Sequence, residues 1–264
     1  MDLGLKGKTA WVLGGSSGLG RAAAASLARE RAIVAISART KDALEASAQQ
    51  IEDDSGSRCV AVPLDVADSS AIPDAMEAVV DEIGPVDILV ANAGGPPPGR
   101  FEDVDVGTMQ DAFELTASSA WHLAKGVVPA MKEKGSGAII FMTSSSTKEI
   151  LPNLFLSNMM RAAVVGMAKT MSKELGPHGI RVLCVAPGRY DTPRVEQLDA
   201  NAASSSGKSV DEVRAQNSAA IPLGRYGRAE EFGDVVAFLA SERASYVTGT
   251  SVSVDGGVLN GLLS

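Results

Sequence analysis

The chain has 264 residues, of which 45% are apolar and only 4% aromatic, with a net charge of −8 and a pI near 4.9. Nucleic-acid phosphates need clustered excess Lys and Arg, so this acidic balance argues against such a partner. No apolar run approaches the ~20 residues of a membrane span, and the first strand is expected by about residue 8, so we expect no signal peptide, no membrane contact and a cytoplasmic location.

The first predicted strand runs directly into a glycine-rich segment and then into a strong helix former. Gly14 suits the turn out of the strand, Gly18 permits close approach to a pyrophosphate, and Gly20 permits tight helix packing. The expected phosphate-binding residues are Gly14, Ser16, Ser17, Gly18, Leu19 and Gly20. The G-x3-G-x-G spacing differs from the commoner G-x-G-x-x-G, and an isolated glycine segment often matches by chance. The rest of the chain must therefore decide its meaning.

Strand-like apolar runs alternate with helical patterns along the whole chain. The runs lie at about 9–13, 32–37, 58–63, 86–91, 137–143, 180–185 and 251–254. Repeated β-α units predict a single α/β domain with a Rossmann-type, doubly wound parallel sheet and helices on both faces. Its ligand is expected at the carboxyl ends of the strands.

The end of the second strand indicates which nucleotide is bound. Small Ala38 followed by Arg39 leaves room for a ribose 2′-phosphate and supplies a cationic partner for it, whereas NAD(H) favours an acidic residue here. We therefore predict NADP(H) rather than NAD(H), although a solvated arginine at a strand end is the alternative. Asp65 and Val66 follow the third strand, where Asp65 is placed to meet the adenine amino group.

Two loops have alternative interpretations. Residues 190–222 contain a small, polar stretch at 201–207 and are predicted to form a mobile substrate lid, or else a surface excursion without function. The proline-rich stretch 94–100 is stiff and is expected either to wall the substrate site or to serve as a rigid connection.

The cysteines and histidines give no sign of a metal site. Cys59 and Cys184 each lie in an apolar run and are expected to be core thiols. His122 and His178 have no carboxylate or cysteine at ligand spacing, so no metal is predicted.

Several ordered motifs together resemble the short-chain dehydrogenase/reductase family over nearly the whole chain. They are the glycine segment 14–20, Asp65-Val66, Asn92-Ala93-Gly94, Thr143-Ser144-Ser145, Val185-Ala186-Pro187-Gly188 with Thr192, and the segments 247–249 and 254–257. The resemblance implies cofactor contacts from Asn92, Ala93, Gly94, Pro187, Gly188 and Thr192, in addition to those named above. It also implies a homodimer or homotetramer built on the helices at about 108–134 and 153–176.

The catalytic positions depart from the family pattern. The family has a Tyr thirteen residues after its catalytic Ser144 and a Lys four residues further on, where this chain has Ser157 and Arg161. Thr116 stands at the position of a structural Asn. A serine hydroxyl is a far weaker acid than a phenol, and arginine does not release a proton at neutral pH.

The remaining candidates divide the catalytic work. Ser144 is expected to hydrogen-bond the substrate oxygen, and Arg161 to hold the cofactor ribose and stabilise negative charge. Ser157, Tyr190 or water would complete proton transfer, unless the Tyr190 ring packs outward and only its backbone meets the cofactor.

The sequence thus predicts an NADP(H)-dependent oxidoreductase with a non-standard active site, acting on a small-molecule carbonyl or secondary alcohol. The alternative is a catalytically inactive NADP(H)-binding protein that serves as a sensor or assembly partner. The selective retention of Ser144, Thr192 and a cation at position 161 favours the enzyme.

Overall fold

A computed structural model describes residues 2–261 as a seven-stranded, entirely parallel sheet flanked by helices. The strands are β1 Thr9–Leu13, β2 Ile33–Ser37, β3 Cys59–Ala61, β4 Ile88–Ala91, β5 Gly137–Met142, β6 Ile180–Pro187 and β7 Ser251–Val254. Their order across the sheet is β3-β2-β1-β4-β5-β6-β7. The predicted fold class is confirmed.

Aliphatic strands form this sheet because both of its faces are covered. All residues of β1, β4 and nearly all of β5 are buried, as parallel strands between helical layers require. The helices are α1 Gly18–Arg29, α2 Lys41–Ser55, α3 Ile72–Ile83, α4 Val106–Phe113, α5 Ser119–Lys134, α6 Phe155–Leu175, α7 Pro193–Ser206, α8 Val210–Ala219 and α9 Ala229–Ala240. One core lies between the sheet and α1, α2 and α9, and the other between the sheet and α3, α5 and α6.

The strand order creates a crevice at one edge of the sheet. β1 pairs with β2 on one side and with β4 on the other, so the chain changes direction between β1 and β4. In open parallel sheets, ligands bind outside the carboxyl ends of the strands at such a switch point. The loops after Leu13, Ala91, Met142 and Pro187 meet there.

The long helix predicted at 108–134 is interrupted. A π-helical turn, Glu114–Ser118, separates α4 from α5 and contains buried Thr116. Such turns often occur at functional sites.

The predicted lid region is mostly helical. Residues 201–206, expected as a loosely structured polar stretch, belong to α7, which is followed closely by α8. Both helices are fastened through buried Asp199, whose carboxylate accepts hydrogen bonds from Arg189 at 2.9 Å, Asn217 at 3.1 Å and Tyr226 at 2.8 Å. The mobility of the lid stays a prediction.

Candidate active site

The glycine segment forms a tight turn between β1 and α1. The φ angles of Gly14 and Gly18 are +68° and +55°, in the left-handed region that favours glycine. The Gly14 amide donates to the Ser37 carbonyl at 2.7 Å, which ties the turn to the end of β2. The first N–H groups of α1 then face the crevice without intrahelical partners, an arrangement suited to a phosphate.

Asn92 fixes the shape of this turn from the neighbouring strand. A Cβ added to Gly14 would lie 2.4 Å from Asn92 Nδ2, and one added to Gly20 would lie 2.2 Å from the Gly14 carbonyl oxygen. These glycines are required by close packing. Asn92, expected to contact the cofactor directly, thus also packs against the segment that would bind it.

The crevice is open where adenosine is predicted to bind, and the expected polar groups lie there. Arg39 is exposed two residues beyond β2, and Asp65 is exposed beyond β3. The Leu64 amide donates to the Ala38 carbonyl at 3.1 Å, so the two strand ends lie side by side. Ser16, Val66 and Ala93 lie in the same loops as their neighbours named above, and Leu19 lies in the first turn of α1.

Pro187, Gly188 and Thr192 lie opposite the glycine segment. Thr192 is buried and caps α7 by accepting a hydrogen bond from the Val195 amide. Its Cγ2 would lie 3.6 Å from a Cβ on Gly18, so the two loops approach closely. A Cβ on Gly188 would lie 2.7 Å from Asp255 Cα, which explains the need for glycine there.

Arg161 is buried beneath the crevice. It donates to the carbonyl oxygen of Met142, the last residue of β5, at 2.8 Å. It also donates to those of Ala93 at 3.2 Å and Gly94 at 3.5 Å, which follow β4. Burial, with a smaller contribution from nearby Arg194, lowers the pKa of Arg161 to about 10, so it remains charged at neutral pH. It is therefore a fixed cation at the carboxyl ends of two central strands.

Three serines form a chain beside it. Ser144 Oγ accepts from the Ser146 amide at 3.1 Å, and the hydroxyl oxygens of Ser146 and Ser157 are 3.4 Å apart. Ser144 is partly exposed, whereas Ser146 and Ser157 are buried. Ser146 was not among the predicted site residues. Its position in the hydroxyl-rich stretch after β5 could have indicated it.

A small cavity separates the π-helical turn from Arg161. Its volume is about 10 Å³, and its lining includes Asn92, Thr116, Ser119 and Arg161. Within residues 2–261, the buried Thr116 hydroxyl has no hydrogen-bond partner. This volume holds about one water molecule, which would satisfy that hydroxyl.

The structure does not bring the Tyr190 phenol to the site. Tyr190 is 4% exposed, its hydroxyl donates to the Val254 carbonyl at 2.8 Å, and its ring packs edge-on against Phe232. Burial raises the pKa of its phenol far above the usual range. The Tyr190 ring therefore points away from the site and into the core, and only its backbone belongs to the loop after Gly188. This arrangement corresponds to the alternative in which the ring takes no part in catalysis.

The loop after β4 is joined to the loop before α6. Gly99 accepts from the Phe155 amide at 3.2 Å and donates to the Asn153 carbonyl at 2.8 Å. Arg100 also donates to the Asn153 side chain at 3.1 Å. The proline-rich loop therefore lies against the segment leading into the helix that bears Ser157.

Other features of the described residues concern metals and membranes. Cys59 and Cys184 are buried free thiols, as predicted. In residues 2–261, no group of three or more potential ligands could hold a metal ion. Nor is any helix in that range both long and apolar enough to cross a bilayer.

Known proteins resemble the chain over almost its full length. The family model described as Enoyl-(Acyl carrier protein) reductase matches residues 14–259. The chain belongs to the short-chain dehydrogenase/reductase family. It is 32% identical over 256 residues to the NADPH-dependent reductase BacG of Bacillus subtilis, covering 97% of this chain and 99% of that protein.

Two further relatives agree in length and fold. Identity to the 3-oxoacyl-[acyl-carrier-protein] reductase FabG of Escherichia coli is 35% over 258 residues, which cover 97% of this chain and 99% of FabG. The crystal structure of L-sorbose reductase from Gluconobacter frateurii, complexed with NADPH and L-sorbose, superposes with a TM-score of 0.94 at 33% identity, covering 99% and 100% of the two chains. These comparisons confirm the predicted family, the oxidoreductase class and the preference for NADP(H).

Proposed function

We propose that this protein transfers hydride between NADP(H) and a small-molecule carbonyl or secondary alcohol at a non-standard active site. In this proposal, Ser157 and Arg161 occupy the positions of the family's Tyr and Lys. The observation that carries the proposal is buried, charged Arg161 at the ends of β4 and β5, beside the Ser144–Ser146–Ser157 chain.

The geometry of the chain fits NADP(H). The glycine segment turns the chain into α1, whose first N–H groups would bind the pyrophosphate, and exposed Arg39 would hold the 2′-phosphate. Asp65 would meet the adenine, and Thr192 would meet the carboxamide. When bound, the cofactor supplies or accepts the hydride.

The protein's own residues would bind the substrate and manage its charge. Ser144 donates a hydrogen bond to the substrate oxygen. Arg161 has five N–H donors, so those left after its contacts with carbonyls can bind the cofactor ribose and stabilise negative charge on that oxygen. The Ser157 hydroxyl, with a bridging water that restores its proton, replaces the phenol as the proton donor. Tyr190 has a structural role in this mechanism.

The alternative is a protein that binds NADP(H) without turnover. It is favoured by one observation: the Arg161 guanidinium already binds three backbone carbonyls, as a purely structural arginine would. We also propose a homodimer or homotetramer that covers the partly exposed Met109, Phe113, Trp121 and Met159 on α4, α5 and α6, and a cytoplasmic location.

The test follows NADPH absorbance during incubation with a panel of aldehydes and ketones. The wild-type protein is compared with the Ser157→Tyr, Arg161→Lys double variant and with Ser157→Ala. We expect turnover by the wild type and a roughly 10²-fold loss in Ser157→Ala, the scale of general acid catalysis.

A matched control is Ser205→Ala, which removes an exposed serine hydroxyl from α7. It should retain full activity. Turnover by the double variant alone would overturn the proposal and support the alternative, because the cofactor and substrate sites would then be intact around a disabled centre.

A further inference from the structure

Arg194 lies at the edge of the candidate active site, in the first turn of α7. A Cβ placed on Gly95 would lie 3.5 Å from Arg194 Nη2, so the guanidinium is next to the loop that follows β4. The preceding residue of that loop, Gly94, is in contact with Arg161. Arg194 itself is exposed, and so is Gly95.

In the part of the chain that the structure describes, neither guanidinium group has an acidic partner. Across residues 2–261, no Asp or Glu oxygen lies within 4.0 Å of either Arg161 or Arg194. They are near enough for the charge of Arg194 to lower the pKa of Arg161. Like charges this close are unfavourable in the free protein, so an anion bound between them would be stabilised.

Arg194 is one of the arginines in residues 2–261 that form no ion pair with a carboxylate. The chain carries a net charge of −8, and several other arginines are paired with carboxylates, such as Arg189 with Asp199 and Arg225 with Glu231. Arg194 is left available at a ligand-binding crevice. Arginine binds carboxylates well because its planar fork donates two parallel hydrogen bonds.

We propose that the substrate is a small oxo acid, or the corresponding hydroxy acid, and that Arg194 binds its carboxylate beside Arg161. This rests on the proposed oxidoreductase function and adds the chemical class of its substrate. The other possible anion is the cofactor pyrophosphate. The substrate is favoured because Arg194 adjoins Gly95, beyond the Asn92–Gly94 segment expected to meet the cofactor, while the pyrophosphate has its own site at the start of α1.

The experiment compares acids with their neutral methyl esters. Acetoacetate and phenylpyruvate are each paired with their esters as carbonyl probes, and 3-hydroxybutyrate with its ester as an alcohol probe. Dissociation constants for the alcohol pair are measured by calorimetry on the NADPH-loaded protein, in which no hydride can pass to an alcohol, and turnover of the carbonyl pairs is measured with NADPH. Arg194→Met removes the charge, Arg194→Lys retains it, and Arg58→Met makes the same charge change at a distant exposed site.

We expect 3-hydroxybutyrate to bind at least about tenfold more tightly than its ester, the scale of one hydrogen bond to a charged group. Arg194→Met should remove this preference without changing NADPH affinity, Arg194→Lys should retain part of it, and Arg58→Met should retain all of it. Equal binding of acid and ester, including no detectable binding of either, would overturn the proposal. A loss of NADPH affinity in Arg194→Met without loss of discrimination would also overturn it and assign Arg194 to the cofactor. Selective binding of the acid without turnover would contradict only the oxidoreductase function.

Discussion

Gly20 has the least room of the glycines at the start of α1. An added Cβ would lie 2.2 Å from the Gly14 carbonyl oxygen, a backbone atom that can move only with the turn itself. We expect Gly20→Ala to raise the dissociation constant of NADPH at least about tenfold, because the displaced N–H groups lose charge-assisted bonds to phosphate. Quenching of protein fluorescence by NADPH measures this.

The matched control is Gly176→Ala in the exposed helical turn that follows α6, where an added Cβ meets no atom within 4 Å. It should leave NADPH affinity unchanged. Unchanged affinity in Gly20→Ala would show that the turn does not contact the phosphates.

The two cysteines should be chemically inert in the folded protein. Burial raises the pKa of Cys59 to about 12 and that of Cys184 to about 12. Below those values the protonated thiol dominates, and the thiolate is the reactive species. We expect Ellman's reagent at pH 8 to label fewer than one thiol per native chain within minutes and two after unfolding in guanidinium. Rapid labelling of the native protein would contradict the buried placement of both residues.

At the scale of elements, Asp199 connects α7 and α8 to the body of the protein. Its carboxylate joins α7 to Asn217 of α8, to Arg189 before Thr192, and to Tyr226. Asp199→Asn removes the charge that pairs with Arg189. Because Arg189 is partly exposed, we expect a cost of roughly 2 kcal/mol rather than that of a fully buried pair.

Hydrogen exchange resolved by mass spectrometry can localise that change. Amides in 193–219 should exchange faster in Asp199→Asn while those of β1 and β4 keep their protection. Asp211→Asn, an exposed substitution in α8, serves as the control and should change neither region. Equal exchange of 193–219 in both variants would mean that the helices are held by other contacts.

The elements that could be predicted from the sequence are those marked by a short or periodic run of apolar residues. All seven strands appear, because apolar runs bounded by turn residues reflect strands covered on both faces. The π-helical turn at Thr116 was not predicted, since an inserted residue in a helix leaves no distinct periodic signal. The helical state of residues 201–206 was also missed because serine and alanine in a short stretch do not distinguish a helix from a loop.

The candidate site could be predicted only in part, because the sequence shows which residues follow a strand but not where their side chains point. Positions at strand ends follow from topology, so Arg39, Asp65 and Ser144 could be placed at the crevice. The direction of a side chain could not be predicted: Tyr190 lies in the loop between Gly188 and Thr192, yet its ring enters the core. Arg194 was overlooked because its proximity to Gly95 depends on the angle at which α7 leaves the sheet.

At the scale of the whole molecule, acid stability should depend on Glu231. Bonds from Arg225 and from the Arg228 amide lower its pKa from 4.5 to about 2. The carboxylate form is therefore favoured by folding, so its contribution is fully present above pH 4.5 and is lost as the pH falls through about 2. The free energies of unfolding of the wild type and of Glu231→Gln, measured with urea, should differ at pH 6 and converge near pH 2.

The neighbouring Glu230→Gln is the control for that experiment, because Glu230 is exposed on the same helical turn. Its stability difference from wild type should be small at every pH. A difference for Glu231→Gln that stays constant from pH 2 to pH 6 would show that the carboxylate is not stabilised by folding.

Assembly is the other property of the whole molecule. Trp121 is 49% exposed on α5, so Trp121→Arg should disrupt the proposed interface and lower the mass measured by light scattering. Val210→Arg changes a similarly exposed apolar residue of α8 and should leave the mass unchanged. A wild-type protein with the mass of one chain, 27.1 kDa, would contradict the oligomer.

The packing of α9 on α1 has a consequence for biosynthesis. A Cβ on Gly233 of α9 would lie 2.4 Å from the Ala22 carbonyl oxygen, and Ser26 donates to Asp234 at 2.9 Å, so the two helices touch backbone to backbone. α9 begins 200 residues after α1 ends, at residues 229 and 29 respectively, so α1 leaves the ribosome long before α9 does. The nascent chain therefore carries the uncovered apolar side of α1 until α9 has been made, a period in which chaperone binding would protect it. Nascent chains on ribosomes stalled before residue 229 should therefore be sensitive to protease. The released chain that includes α9 should be resistant.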